Sequence, residues 1–191
     1  MINYISDKVV AKLIQFGSIR EDEKELYAYG LQQGSFIILN VLTTLLIGLM
    51  TGMFWHSILF MAMYLPLRSF AGGYHARTQV RCYLYSIILI IAVLSTIRFI
   101  PWTNFICLGT ALLAGLIIFI LSPVEDINKP LDQMEIVVYK KSTRTILVLE
   151  LLLVLLLLAL KLNEPLSCIA VSLLALSVML VLGKLKIRIS D

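Results

Sequence analysis

The side chains in this sequence that can do chemistry are few. Its 191 residues include three cysteines (Cys82, Cys107, Cys168) and two histidines (His56, His75). Scattered in this way they suit neither a disulfide framework nor a zinc centre, and no metal or other cofactor is expected. One pair is close in sequence: His75 and Cys82, within Arg68-Ser-Phe-Ala-Gly72-Gly73-Tyr-His75-Ala-Arg77-Thr-Gln-Val-Arg81-Cys82. A thiol beside an imidazole is the minimal equipment for nucleophilic acyl transfer, although an arbitrary cysteine is more often a small buried hydrophobe. Three features favour chemistry. Gly72 and Gly73 permit a chain reversal just before the histidine. Arg77, Arg81 and a helix start close to Cys82 favour the thiolate. The spacing also sets a condition: seven positions apart on one straight helix, the two residues share a face but stand about 10.5 Å apart. Proton transfer needs roughly 2.6–3.2 Å. A working pair therefore requires either a bend at the glycines or an imidazole from a second subunit.

The elements that must position this pair belong to a membrane protein. The composition is 60% hydrophobic and only 15% charged, and the mean hydropathy is +0.94. Soluble domains are about half apolar and a quarter charged. An ordinary cytosolic enzyme, a disordered chain and a nucleic-acid-binding module are excluded on those grounds. The uncharged stretch from Ser35 to Leu67 would make a helix of roughly 50 Å, too long for a bilayer core of about 30 Å. It must turn back, and Gly48 with Thr51-Gly52 marks the place. The expected fold is all-α: a single polytopic membrane domain over 1–191 with about six transmembrane helices, near 35–50, 53–67, 83–97, 104–121, 145–160 and 165–183. Ahead of them, residues 1–30 form an amphipathic segment, with Ile2, Ile5, Val9, Leu13 and Phe16 recurring at helical spacing. It is expected to lie along the cytoplasmic interface. Glu21–Glu25 reads as a solvated turn or helix start.

Charge distribution orients these spans. Lys8, Lys12, Arg20 and Lys24 precede the first, and Arg68, Arg77 and Arg81 follow the second. Lys129, Lys140, Lys141 and Arg144 follow the fourth, and Lys184, Lys186 and Arg188 follow the sixth. Only Arg98 and Lys161 fall in the other connections. By the positive-inside rule both termini face the cytoplasm, and the net charge of +4 reflects topology and attraction to anionic lipid. His75 and Cys82 then become the only histidine and cysteine on the cytoplasmic side. Glu150 is the one formal charge well inside a span, which marks it as a secondary candidate.

The motif Arg68-x3-Gly72-Gly73-x-His75-Ala76-x5-Cys82 resembles the signature of the AgrB family of bacterial membrane cysteine endopeptidases, which process quorum-sensing propeptides. The stretch Ser122-Pro-Val-Glu125-Asp126-Ile-Asn-Lys129-Pro130-Leu131 resembles that family's Pro-containing cytoplasmic loop, although its Ser122 and Glu125-Asp126 depart from the usual pattern. Chain length and layout agree. The resemblance implies His75 and Cys82 as the catalytic pair and Arg68 and Gly73 as supporting positions. It implies a small propeptide substrate with an amphipathic N-terminus and an acidic C-terminal tail, and a homodimer in the bacterial cell membrane. Tail removal would leave a thioester that an internal Cys or Ser captures as a thiolactone or lactone. Arg77, Arg81, Lys129, Lys140, Lys141 and Arg144 form a basic rim suited to an acidic tail. Glu125 or Asp126 reaches His75 only if the 122–131 loop folds underneath. The competing readings are a non-catalytic transporter or permease subunit and a membrane adaptor. The spans carry almost no charge for ion coupling and no matched pair of broken helices, which weighs against transport.

Overall fold

The computed structural model describes residues 2–16, 19–74, 78–125 and 131–190. Among these, the only regular elements are helices: α1 (Ile2–Gln15), α2 (Lys24–Met50), α3 (Phe54–Ala71), α4 (Gln79–Phe99), α5 (Asn104–Leu121), α6 (Gln133–Ala159) and α7 (Asn163–Ser190). The acidic run expected to be a turn or helix start is a 3-10 turn, Glu21–Glu23, that leads directly into α2. Contacts divide the chain into two compact units, residues 1–44 and 45–191, with the boundary inside α2.

In the first unit, α1 forms where the apolar periodicity placed it. Val9 and Phe16, both on the expected apolar stripe, are exposed. In an interfacial helix such a stripe is covered by lipid rather than by protein.

In the second unit, α7 is the central element. Its sequence is apolar all round, so it has no lipid-facing preference and packs best inside a bundle. Leu166, Ile169, Ala170, Leu173, Leu176 and Leu180 are all fully buried. Helices α3, α4, α5 and α6 surround it, with α5 making the most extensive contact. Ala111 and Ala114 on α5 are small and buried, and Gly115 brings α5 close to Leu147 and Leu151 of α6; without a hydrophobic driving force in lipid such close approach is what holds helices together. The hydroxyls of Ser167, Ser172 and Ser177 on α7 donate to the carbonyls of Glu164, Ile169 and Leu174, so none requires a partner from another helix.

Among the described residues, five helices are long and apolar enough to cross a bilayer: Glu21–Met50 (α2 with its leading turn), α4, α5, α6 and α7. Helix α3, the remaining expected span, has 18 residues and so reaches about 27 Å, with His56 and Arg68 near its ends. The turn expected between the first two spans is present: Met53 N–H donates to Gly48 O at 2.7 Å, and Gly52 adopts φ 70°. Helix α5 coincides with its expected span. Five helices run further than charge counting suggested: α2 begins at Lys24 rather than near 35, inside the stretch expected to be the amphipathic segment 1–30, and α7 continues past 183 to Ser190. Helix α3 continues through Arg68 to Ala71, and α4 begins at Gln79 rather than near 83. Helix α6 begins at Gln133, well before the expected 145. Charged residues end a bilayer crossing, but they do not end a helix.

The start of α6 is set by a capping box. The Asp132 side chain accepts from Gln133 N at 2.7 Å, and Glu135 accepts the Asp132 N–H at 3.1 Å. Asp132→Ala is expected to destabilise the folded protein by about 1 kcal/mol, read as a lower thermal midpoint in detergent. The integrated contacts of the 45–191 unit should otherwise persist.

Candidate functional site around Cys82

The site is built from the end of α3, the start of α4, a stretch between them and the last turns of α7. Helix α3 ends because Gly72 takes φ 73° and ψ −147°, a conformation that side chains disfavour; Gly73 follows at φ 130°. The reversal expected at the Gly-Gly pair is therefore made by backbone that only glycine accommodates easily.

Arg68, in the last turn of α3, holds the reversed chain. Its guanidinium donates from Nη1 to Gly72 O and from Nη2 to Tyr74 O, the latter at 2.6 Å. A planar fork can grip two carbonyls in this way where an ammonium offers a single point charge. On one side the stretch meets the segment after α5: Val124 N–H donates to Ala71 O at 2.9 Å, and Gly72 forms a parallel β-bridge with Val124. On the other side it rests on α7, where Tyr74 N–H donates to Met179 O at 2.9 Å. The Ser122–Val124 part of the Pro-containing loop is thus joined to the Gly-Gly stretch by hydrogen bonds.

Cys82 lies in the first turn of α4. Thr78 caps this helix in extended conformation, with its hydroxyl accepting from Arg81 N and its carbonyl accepting from Cys82 N at 3.0 Å. The helix carrying Cys82 therefore starts at Gln79 and does not run back through position 75, as the spacing argument requires. Cys82 is half-buried and free, whereas Cys107 and Cys168 are free but buried, each with 1% exposure. Both buried thiols sit near the starts of α5 and α7, at the ends of those helices remote from the Gly72–Tyr74 stretch. Alkylation of the folded protein with iodoacetamide is expected to add one group per chain, at Cys82, and two more only after denaturation. Intact-mass measurement checks this, and comparable labelling of Cys107 or Cys168 would contradict it.

Aromatic side chains close the surroundings. The Tyr74 ring meets the Tyr85 ring edge-on at 5.6 Å, and Tyr85 is one turn beyond Cys82, on the same side of α4. The Lys186 ammonium stands 5.5 Å from the Tyr74 ring centroid. Tyr64, one turn before Arg68 and stacked on Phe60 at 5.0 Å, interacts electrostatically with both Arg68 and Cys82. Sequence reading missed Tyr64, Tyr74, Met179 and Gly183. Only Tyr64 had a legible signal, its position one helical turn from Arg68.

Of the other expected site residues, Arg81 and Glu125 are exposed. His75, Arg77, Asp126, Lys129 and Pro130 lie outside the described residues. Among the described residues no group of His, Cys, Asp and Glu is arranged to hold a metal ion. Glu150 is buried on the face of α6 that carries Thr143, Leu147 and Val154, and its Oε2 has no hydrogen-bond partner.

Comparison with known proteins gives the family. The family described as Accessory gene regulator B matches residues 2–181. An AgrB-like protein of Listeria monocytogenes serotype 4a (strain HCC23) is 28% identical over 132 residues, covering 66% of this chain and 63% of the relative. The AgrB-like protein of L. monocytogenes serovar 1/2a (strain ATCC BAA-679 / EGD-e) is 29% identical over the same length and coverage. The chain thus aligns to somewhat less than two thirds of the length of these relatives. No solved structure matches. With apolar helices of bilayer length and a family match over nearly its whole length, this multi-pass membrane protein belongs to the accessory gene regulator B family.

Proposed function

We propose that this chain is a membrane cysteine endopeptidase that removes the acidic C-terminal tail of a quorum-sensing propeptide, with Cys82 as nucleophile and His75 as general base and acid. The observation that carries the reading is the placement of Cys82. It is the only partly exposed cysteine, it occupies the first turn of a helix, and it lies one turn before Tyr85, whose ring meets that of Tyr74 in the stretch held by Arg68. Family membership supports the same reading.

In the proposed reaction His75 takes the thiol proton as Cys82 Sγ bonds to the scissile carbonyl carbon. The C–N bond then breaks, His75 returns the proton to the leaving amine, and the peptide remains as a thioester on Cys82. An internal thiol or hydroxyl of the peptide displaces Cys82 and closes a thiolactone or lactone. A thioester survives long enough for this only where water is scarce, and a site at a bilayer surface supplies that condition. The distribution of lysine and arginine supports a cytoplasmic location for the site and for both chain termini. A homodimer belongs to the same proposal.

The test is to co-express the chain with such a propeptide and analyse the purified protein by mass spectrometry. A peptide adduct on the Cys82-containing fragment, removed by hydroxylamine, is the expected result. Tail release accompanied by an adduct elsewhere, or by none under trapping conditions, rules the reading out.

A further inference from the structure

Helix α7 contributes to the site through a residue with no side chain. Gly183 lies one turn after Met179, whose carbonyl accepts the Tyr74 N–H. A Cβ built at Gly183 would stand 2.8 Å from both Gly73 C and Tyr74 N, and 3.1 Å from Gly73 O. Real Cβ atoms essentially never come this close, and the obstructing atoms are backbone, which cannot swing aside as a flexible side chain does. Neighbouring groups also crowd the stretch away from α7. Gly72 abuts Val124 O, and Gly73 is enclosed by the Arg68 guanidinium and by Met179 O, which would lie 3.3 Å from a Cβ at Gly73. A glycine inside a helix costs about 1 kcal/mol relative to alanine, so its use here needs a reason. The close approach of the Gly73–Tyr74 backbone supplies one.

We propose that Gly183 is a positioning residue for the thiol site: the gap it leaves on α7 seats the Gly73–Tyr74 backbone beside the first turns of α4, where Cys82 lies. This rests on the peptidase reading above. A methyl group at 183 displaces the Gly73–Tyr74 backbone, and with it the Arg68 fork on Tyr74 O and the Tyr74–Tyr85 ring contact that joins the stretch to α4. Misplacing reacting groups by about 1 Å costs on the order of 10²-fold in rate.

The experiment compares full-length wild type, Gly183→Ala and Gly109→Ala, purified in nanodiscs, on a synthetic propeptide with an acidic tail. Gly109 faces open space on α5 and serves as the control for a glycine-to-alanine change in a spanning helix. For Gly183→Ala, kcat is expected to fall roughly 10- to 100-fold with KM within about twofold, while Gly109→Ala matches wild type. Iodoacetamide should still label one thiol per chain, showing that Cys107 and Cys168 remain buried. The pH profile of Cys82 alkylation should move toward that of His75→Ala. A wild-type kcat and alkylation profile overturns the proposal, as does a change confined to KM. Labelling of all three thiols in Gly183→Ala assigns Gly183 to folding and likewise overturns it. The two readings fail separately. Tail release by Cys82→Ala removes the peptidase reading itself, whereas an inactive Cys82→Ala beside a fully active Gly183→Ala removes only the role of Gly183.

Discussion

Cys82→Ala is expected to abolish propeptide tail release, a loss on the order of 10⁴-fold or more, while leaving the protein's abundance in the membrane unchanged. The size of the effect follows from the chemistry: without the thiol no acyl-enzyme forms, and the remaining groups can only assist attack by water. Abundance should be kept because Cys82 is half-buried at the start of α4 and its side chain makes no hydrogen bond on which the helix depends; the Thr78 cap engages backbone. His75→Ala should be as severe. The double variant should be no worse than either single one, because residues acting as one unit are strongly non-additive. Immunoblotting of the tagged propeptide, beside a blot of the enzyme in the membrane fraction, measures both quantities. Residual cleavage by Cys82→Ala at more than a trace level would refute the nucleophile assignment. Loss of both variants from the membrane would show instead that the pair is structural.

Composition and apolar run lengths made the helical membrane fold legible, because a bilayer leaves a chain few alternatives. The coincidence of α5 with residues 104–121 shows the method at its best: Thr103 caps the helix, and Ser122-Pro123 follows its end. The short readings of α3, α4 and α6 share one cause. Counting charges locates where lipid ends, whereas helices end where caps and glycines end them. The Asp132–Glu135 box and the Thr78 cap were both present in the sequence and would have placed the starts of α6 and α4. The central position of α7 was harder to read. An all-round apolar helix is consistent with burial, but lipid exposure is equally apolar, so only packing distinguishes the two.

At the site, local features were legible and distant ones were not. The Gly-Gly reversal and the need to break the helix between positions 75 and 82 followed from φ preferences and from a rise of about 1.5 Å per residue. The contact between the 122–124 segment and Gly72 is a long-range backbone pairing, with no periodicity or composition to announce it. The same holds for Met179 and Gly183, which are more than a hundred positions from the stretch they support. Arg68 was legible as a nearby cation and as a position in the family motif, but its physical role emerged from geometry: two carbonyls on opposite sides of a glycine turn, held by one guanidinium.

That geometry makes a second large effect expected, from Arg68→Ala and from the nominally conservative Arg68→Lys. Each hydrogen bond from a charged donor contributes about 1.5–3 kcal/mol, and both here hold backbone that would otherwise leave carbonyls poorly paired. Removing the fork should lower tail release on the order of 10²-fold, equivalent to about 3 kcal/mol at the transition state. Lysine keeps the charge near the turn but satisfies one carbonyl at a time, so Arg68→Lys should recover only a small part of the rate. A role confined to attracting the acidic tail predicts otherwise: Arg68→Lys would then be nearly wild type, and raising the salt concentration would weaken wild type and lysine variant alike through screening. The comparison of kcat with KM decides between them. Losing a turn-holding guanidinium lowers kcat with little change in KM or in its salt dependence, whereas losing a tail-binding charge raises KM, and more so at low ionic strength. Measuring both variants at two salt concentrations, with Cys82 alkylation confirming that the fold is retained, separates a residue that shapes the site from one that recruits its substrate.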